Sequence, residues 1–507
     1  RFSKASSSWD EDEFRKKWDD PNITDGRLRN LFTKAQNLGW KNPGKDRPIA
    51  AQLVQQPDEL RFKAYNNDIL HGELYARAAA NSNLRHTPQG WYQYNGVVWV
   101  SRPSGVAQEF AKAVVNALRG WAPTIQDETE RVVAGKHLAY LSTANGLSRM
   151  VAMGKSDPAM NVESMAAFDP DPMVFQTANG VVDLVSGKLK PSGPHWMTTK
   201  MSPVAFDPSA KYPKWRAFID EITLGDASTA ESLQRWLGYS MTGIVREEVV
   251  VFMLGKGANG KSTLNNVLEH VMGNYRVKVS DGAITTRGKT DPNQAQPFLV
   301  TTVGGRMLAI NEIRKHALLD EHAIRQLGGT ESITARGLNQ PAFTFLPTGK
   351  LTISLNDLPR VADMGHGLWR RVRIIPFDND IPEARQNKNL AEELKEESAG
   401  ILNWLIEGCQ KWYQHGLIWS ERCDSNVRQY QYNTDTLAEL MNKYDITGDP
   451  KDRLLRKDIH AEYLRVTLSD NEPRVGKKLL YAMVRERPGV KEVRTGGEDF
   501  FIGIRRR

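Results

Sequence analysis

The chain has 507 residues, which is long enough for several domains. Hydrophobic residues make up 40% and charged residues 25%, so a wholly disordered or collagen-like chain is excluded. Lys and Arg (68) exceed Asp and Glu (60) by eight, a balance that permits polyanionic partners. Only Cys409 and Cys423 occur, which excludes a disulfide framework and a four-cysteine zinc site. Because no apolar run reaches about 18 residues, we expect no membrane segment and a cytoplasmic location.

Composition and hydrophobic pattern divide the chain into a helical appendage, a polar linker, an N-terminal α+β domain, an α/β core, a helical connector and a basic C-terminal domain. In the α+β domain, Asn179-Gly180 between β-branched runs predicts a hairpin. In the C-terminal domain, short helices followed by strands around Gly496-Gly497 predict a winged helix. The six segments are residues 1–46, 47–58, 59–211, 212–385, 386–436 and 437–507.

A phosphate-binding loop is the strongest motif. The buried-strand pattern Val249–Leu254 leads directly into Gly255–Ser262, which fits G-x-x-x-x-G-K-[ST], and a helical pattern follows over Thr263–Met272. In such a loop the backbone N–H groups surround phosphates, Lys261 reaches the β- and γ-phosphates, and the Ser262 hydroxyl binds Mg²⁺. We therefore expect ATP and Mg²⁺ as cofactors. The candidate nucleotide-binding residues are Gly255, Lys256, Gly257, Ala258, Asn259, Gly260, Lys261, Ser262 and Thr263.

An acidic residue follows a second buried-strand pattern. Glu312 comes after Arg306–Ile310 and is a candidate to orient the attacking water and to organise the metal together with Ser262. The residue before it is Asn311, whose neutral amide adds no charge to the metal shell. The alternative is that Glu312 is a solvated carboxylate at a strand end.

A third strand pattern and a pair of arginines complete the candidate catalytic set. Lys350–Leu355 ends at Asn356, which either senses the γ-phosphate or forms an Asx turn before Pro359. Arg370 and Arg371 precede another apolar strand pattern. Guanidinium groups there suit stabilisation of charge on a transferring phosphoryl group, whereas the alternative is an interface or surface salt bridge.

In this order the motifs resemble those of superfamily 3 helicases, and more closely the helicase half of phage and plasmid primase-helicases, which are related to the poxvirus primase-helicase. The resemblance implies an AAA+-like P-loop ATPase core. The motifs that carry it are Gly255–Ser262, Glu312, Gly328–Arg336, Leu355–Pro359 and Trp369–Arg371.

Flanking stretches extend the resemblance. Phe168–Pro172 and Asn179–Leu184 resemble the domain that precedes the helicase in that family, and Ser398–Trp404 resembles the helix that follows it. Phe14–Trp18 and Leu31–Trp40 are similar to the tail of the primase half. By this resemblance, a covalently linked primase half is expected before residue 1, and residues 1–46 are its tail.

The resemblance also implies a mode of action: a ring, expected to be a hexamer, that moves 3′→5′ on single-stranded DNA and acts on forks. Each ATP would lie between Lys261, Ser262, Glu312 and Asn356 of one subunit and Arg370 or Arg371 of the next. A hairpin within residues 333–350 would face the channel. Its candidate DNA contacts are Arg336, Asn339, Gln340 and Lys350.

Two other functions fit the same residues. One is a motor or loader that moves on duplex DNA without separating strands. The other is an origin-binding replication initiator in which ATP only switches assembly. Separately from these alternatives, the basic C-terminal domain is a candidate to bind duplex or fork DNA through phosphates.

Overall fold

The computed structural model describes most of the chain beyond its first 67 residues. The predicted appendage (1–46) and linker (47–58) lie outside the described residues. The chain divides into two compact units, one of residues 68–94 and 100–164 and one of residues 95–99 and 165–507. No helix among the described residues is both long and apolar enough to cross a bilayer. The described ranges are 68–285, 297–313, 318–337, 342–361, 369–434, 440–468, 476–485 and 487–507.

The first unit is mainly helical, and its strands belong to a small sheet of order β1-β2-β3. Helix α2 buries Phe110, Val114 and Leu118, whose spacing of four residues puts them on one face. Asp127 caps α3 by accepting from the Glu130 N–H. The elements are α1 (Asp68–Asn81), β1 (Leu84–Thr87), β2 (Gly90–Tyr94), β3 (Trp99–Arg102), α2 (Gly105–Trp121), α3 (Glu128–Leu141) and α4 (Ala144–Gly154).

The second unit begins with an antiparallel sheet of β4 (Val174–Thr177), β5 (Gly180–Asp183) and β6 (Lys188–Lys190). Thr177 pairs with Gly180, which confirms the predicted Asn179-Gly180 hairpin. Residues 165–211 were expected in the N-terminal domain, yet they group with the α/β core. The reason is that Phe175 and Val182 of this sheet enter the same apolar cluster as the central strands and helices.

The α/β core contains a parallel sheet, as the strand and helix patterns predicted. The sheet has five strands in the order β15-β7-β13-β9-β8. A short antiparallel pair, β11 and β12, lies within the predicted 333–350 hairpin. The elements are α5 (Pro213–Ile222), α6 (Ala227–Tyr239), β7 (Val250–Leu254), α7 (Lys261–Met272), β8 (Arg276–Lys278), α8 (Pro297–Thr301), β9 (Met307–Ile310), β10 (Leu318–Leu319), α9 (Glu321–Gly328), β11 (Ile333–Ala335), β12 (Phe343–Phe345), β13 (Lys350–Leu355), β14 (Arg360–Val361) and β15 (Val372–Pro376).

Both faces of the parallel sheet are covered. Along β7, Val251 and Met253 enter one apolar cluster, whereas Val250 and Phe252 enter another on the opposite face. Successive side chains of a strand point to opposite faces, so this near-continuous apolar run fits a strand buried on both sides. The carboxyl ends of the strands remain at one edge, where functional loops of such sheets commonly lie.

The helical connector and the C-terminal domain complete the second unit. Helix α11 packs against α6, and the C-terminal sheet has the order β17-β19-β18. Thr495 pairs with Glu498 across the predicted Gly496-Gly497 turn. The elements are α10 (Leu390–Lys395), α11 (Ser398–His415), α12 (Glu421–Thr434), β16 (Tyr444–Ile446), β17 (Arg453–Leu455), α13 (Arg456–Leu468), α14 (Lys477–Arg485), β18 (Lys491–Thr495), β19 (Glu498–Ile502) and β20 (Ile504–Arg506).

Candidate active site

The loop between β7 and α7 has a backbone that requires glycine at particular positions. Gly257 and Gly260 have φ angles of +115° and +86°, a region that side chains with a Cβ rarely adopt. A Cβ on Gly260 would also lie 2.5 Å from Ile222, and one on Gly255 would collide with the carbonyl oxygen of Phe377. The loop is therefore held between α5 and the segment that follows β15.

The ammonium group of Lys261 lies inside this loop. Lys261 is 7% exposed, and its Nζ donates to the carbonyl of Gly255 and, at 3.1 Å, to Oδ1 of Asn259. The amide nitrogen of Asn259 in turn donates to the carbonyl of Phe377 at 3.1 Å. Burial lowers the pKa of Lys261 to about 8. An anion beside this ammonium would favour its charged form, so bound phosphate would raise that pKa.

The start of α7 is suited to an anion. Gly260 is the residue before the helix, and no side chain of the described residues caps it. The first N–H groups of α7 therefore have no side-chain acceptor there, and the helix dipole adds positive potential. Ser262 is exposed at this point, whereas Thr263 is half-buried. These residues fit a phosphate group and a Mg²⁺ ion that binds with it.

We expect nucleotide binding to be accompanied by proton uptake near pH 8. Free Lys261, with a pKa of about 8, is about half protonated there, and a bound phosphate completes its protonation. Calorimetric titration with ADP in two buffers of different ionisation enthalpy should therefore show uptake of about half a proton per nucleotide. The uptake should disappear below pH 7, where the ammonium is already charged. Uptake that is equally large at pH 6.5 would contradict this.

The other polar strand ends lie at the same edge of the sheet as the loop. Strand β13 lies between β7 and β9; Leu355 pairs with Leu254, and Ile353 pairs with Ile310. Gly255 N–H donates to the carbonyl of Leu355 at 3.0 Å. Because the strands are parallel, the residues that follow them share this edge. Asn356, Asn311 and Glu312 are all exposed there.

The metal-binding groups at this edge are few. Across the described ranges, no group of three or more His, Cys, Asp or Glu side chains is arranged to hold a metal ion. The Oδ1 of Asn311 accepts from Nη2 of Arg276 at 3.3 Å, so one of its two lone pairs is directed at the guanidinium. The candidate ligands for Mg²⁺ are thus Ser262 and Glu312, with phosphate oxygens as the further acceptors that this ion prefers.

The two arginines lie at the opposite edge of the same sheet. Strand β15 is parallel to β7, and the Val250 N–H donates to the carbonyl of Arg371 at 2.8 Å. Arg371 lies beside Val250, at the start of β7, and the five residues of β7 separate that position from the phosphate loop by about 16 Å. Arg370 is exposed, whereas Arg371 is 9% exposed and forms an ion pair with Glu248 at 2.7 Å. Neither backbone position is adjacent to the loop of its own chain.

The structure changes the set of candidate DNA contacts. Arg336 is exposed after β11, while Asn339 and Gln340 lie outside the described residues. Lys350 is 2% exposed, and its Nζ donates to the carbonyls of Thr242 and Thr348. The structure therefore contradicts a DNA contact by Lys350, because an ammonium enclosed by carbonyl groups cannot reach a phosphate outside.

Sequence motifs missed several residues that build this site. Phe218 and Ile222 of α5 contact the position of Gly260. Asn265, Arg276 and Ser354 are linked beneath the loop by hydrogen bonds. Only Asn265 had a visible signal, namely its position one helical turn after Lys261. The others are brought together by the fold.

Comparison with known proteins agrees with the family resemblance. Residues 72–224 match the family model described as "D5 N terminal like". The chain is 22% identical over 394 residues to "Putative helicase L207/L206" of Acanthamoeba polyphaga mimivirus, covering 71% of this chain and 41% of that protein. It is 23% identical over 218 residues to "Putative primase C962R" of African swine fever virus (isolate Warthog/Namibia/Wart80/1980), covering 39% of this chain and 22% of that protein.

The chain thus spans about two fifths of the mimivirus relative's length. Among solved structures, "The A form apo structure of NrS-1 C terminal region-CTR" is similar at 12% identity with a TM-score of 0.47, covering 84% of this chain and 98% of that one. Through residues 72–224, the chain is thus similar to the family described as D5 N terminal like.

Proposed function

We propose that the chain is an ATP-dependent DNA helicase, the motor part of a longer primase-helicase, with an AAA+-like core that assembles into a ring. The observation that carries the proposal is the arrangement of polar groups around one parallel sheet. The phosphate loop, Glu312 and Asn356 lie at one edge, and the exposed Arg370 lies at the other.

Each group has a role in ATP hydrolysis. The ammonium of Lys261 binds the β- and γ-phosphates, and the N–H groups at the start of α7 surround them. Glu312 orients a water molecule for in-line attack on the γ-phosphorus, and Asn356 donates to the γ-phosphate or to that water. The bond from the γ-phosphorus to the bridging oxygen breaks and ADP leaves. Mg²⁺ held by Ser262 and Glu312 would neutralise phosphate charge.

Arg370 would act on the nucleotide of a neighbouring subunit. Its position before β15 is remote from the loop of its own chain but exposed for contact with a partner. A guanidinium supplied in this way stabilises charge in the transition state and contributes about 10³–10⁵ in rate in known cases. The ion pair of Arg371 with Glu248 favours Arg370 over Arg371 for this role.

DNA would be bound at two places. The exposed Arg336 precedes the tip of the 333–350 hairpin, where Asn339 and Gln340 remain candidates, and a ring would direct such hairpins at one strand. The order β17-β19-β18 with α13 and α14 is compatible with a winged helix. The exposed Lys477 and Lys478 begin α14 there and are candidates for phosphate contacts at a fork.

A strand-displacement assay tests the proposal. We expect ATP-driven unwinding of a fork with a 3′ single-stranded tail and much slower unwinding with only a 5′ tail. Glu312→Gln should retain nucleotide and DNA binding but lose hydrolysis and unwinding on the order of a hundredfold or more, because the water is no longer oriented by a carboxylate. ATPase activity stimulated by duplex without unwinding would favour a duplex motor or loader. Site-specific duplex binding without unwinding would favour an initiator.

A further inference from the structure

A buried guanidinium group lies between the helix of the phosphate loop and the strand that carries Glu312. Arg276 opens β8, and its side chain has no solvent exposure. Its Nη2 donates to Oδ1 of Asn265 on α7 at 2.6 Å and to Oδ1 of Asn311 at 3.3 Å. Its Nη1 lies 3.6 Å from Oε2 of Glu269. Arg276 therefore connects the residue before Glu312 to α7.

The hydrogen bonds continue to the third segment of the site. The amide nitrogen of Asn265 donates to the carbonyl of Lys261 at 3.0 Å and to Oγ of Ser354 at 2.9 Å. Ser354 lies on β13, two residues before Asn356. One buried set of polar side chains thus joins the loop helix, the end of β9 and the end of β13.

The direction of these bonds determines what Asn311 can offer a ligand. A guanidinium donates hydrogen bonds and cannot accept them, so the Asn311 oxygen must be the atom that faces Arg276. The NH₂ group of the same planar amide then points away from the guanidinium. An NH₂ group donates to phosphate or water oxygens, but it does not ligate Mg²⁺.

Packing alone is a poor explanation for Arg276. Its Nε and Nη1 are buried without a hydrogen-bond partner in the described structure. A buried cation with incompletely paired N–H groups destabilises a fold relative to an apolar residue of similar volume. The hydrogen bond from Arg276 to Asn311 orients the Asn311 amide, and this is a role for Arg276 other than stabilising the fold.

On the basis of the proposed nucleotide site, we propose that Arg276 is a positioning residue that holds Asn311 as a hydrogen-bond donor to the γ-phosphate. The position before Glu312 would then distinguish ATP from ADP by hydrogen bonding instead of binding the metal. The Asn265–Ser354 contact would keep the end of β13 in register with α7, and the contacts of Arg276 with Asn265 and Asn311 would do the same for the end of β9.

The test is the selectivity between two nucleotides at equilibrium. Dissociation constants for ADP and for the non-hydrolysable analogue AMP-PNP are measured by calorimetry, with Mg²⁺ and with EDTA. For Asn311→Ala we expect ADP affinity within about twofold of wild type and AMP-PNP affinity about tenfold weaker, as for the loss of one hydrogen bond to a charged group. The loss should persist in EDTA, because the metal does not mediate it. Asn311→Asp should weaken AMP-PNP further, because the carboxylate repels the phosphate.

The variants of Arg276 separate positioning from stability. Arg276→Met should reproduce the selective AMP-PNP loss of Asn311→Ala, and Arg276→Lys should be intermediate, since an ammonium can still donate to an amide oxygen. Melting temperatures establish that each protein is folded. If Arg276→Met does not fold, the test depends on Arg276→Lys and on the two variants of Asn311, a residue whose exposed side chain can be replaced with little effect on the fold.

Several results would overturn the inference. One is an equal loss of ADP and AMP-PNP affinity in Asn311→Ala. Another is that Asn311→Asp binds AMP-PNP more tightly than wild type when Mg²⁺ is present but not in EDTA. A third is that a folded Arg276→Met has the same selectivity between the two nucleotides as wild type. Wild-type protein that binds neither nucleotide would refute the proposed function itself, and the inference with it. A wild type that binds both with unchanged selectivity in the variants refutes the inference alone.

Discussion

Replacing Lys261 with alanine is expected to weaken binding of ATP analogues by about two orders of magnitude, because it removes a charge-assisted contact to phosphate. The Lys261 ammonium is enclosed by the loop and donates hydrogen bonds to Gly255 and Asn259. It therefore lies where the loop would surround the phosphate oxygens of a bound nucleotide. Titration calorimetry with AMP-PNP measures the loss, and ATP hydrolysis should fall to background.

The matched control lies in the same loop. Lys256 belongs to the candidate nucleotide-binding loop through its backbone N–H, which Lys256→Ala retains, but its charged side chain is exposed. Lys256→Ala should therefore change the affinity only by the weak, screened effect of a surface charge. A comparable loss in the two variants would indicate that general positive charge, and not the enclosed ammonium, binds the nucleotide. Full affinity in Lys261→Ala would refute the assignment of the loop.

Mixing Arg370→Ala with Lys261→Ala subunits is expected to restore ATPase activity that neither variant shows alone. In an assembly with shared sites, a competent site needs the loop of one subunit and the arginine of its neighbour. Random equal mixing would pair an intact loop with an intact arginine at about a quarter of the sites. Steady-state hydrolysis of the mixture, with the mass of the assembly measured alongside, provides the readout.

Arg371→Ala is the matched control for the neighbouring guanidinium. Its ion pair with Glu248 lies within one chain, so its loss should lower the melting temperature without producing a complementing subunit. Complementation by Arg371→Ala but not by Arg370→Ala would reverse the assignment. A shared site would be contradicted if Lys261→Ala stayed inactive both when mixed with Arg370→Ala and when mixed with Arg371→Ala. A strictly monomeric particle in the presence of nucleotide and DNA would also contradict it.

Local patterns predicted the parts of the fold that depend on neighbouring residues. The phosphate loop was visible because its glycines, lysine and serine are contiguous, and the Asn179-Gly180 hairpin because its turn has a distinctive sequence. The ends of β9 and β13 were also found, since buried strands have a recognisable apolar pattern. The sheet order then placed those ends beside the loop.

Contacts between distant residues were not predictable in this way. Lys350 and Arg371 both look like free cations in the sequence, yet one is enclosed by the carbonyls of Thr242 and Thr348 and the other is paired with Glu248. The Asn265–Ser354 bond joins residues 89 positions apart. Likewise, the sequence between residues 165 and 211 gives no sign that its sheet packs into the α/β core.

The contact of α5 with the phosphate loop has a consequence for where the chain can be divided. Phe218 and Ile222 form the wall beside Gly260, and both lie inside the segment matched by the family model, which ends at residue 224. Trp215, on the same helix, is fully buried in the shared core. The boundary drawn by homology therefore runs through a single folding unit, and any shortened form meant to retain phosphate binding would have to start ahead of Pro213.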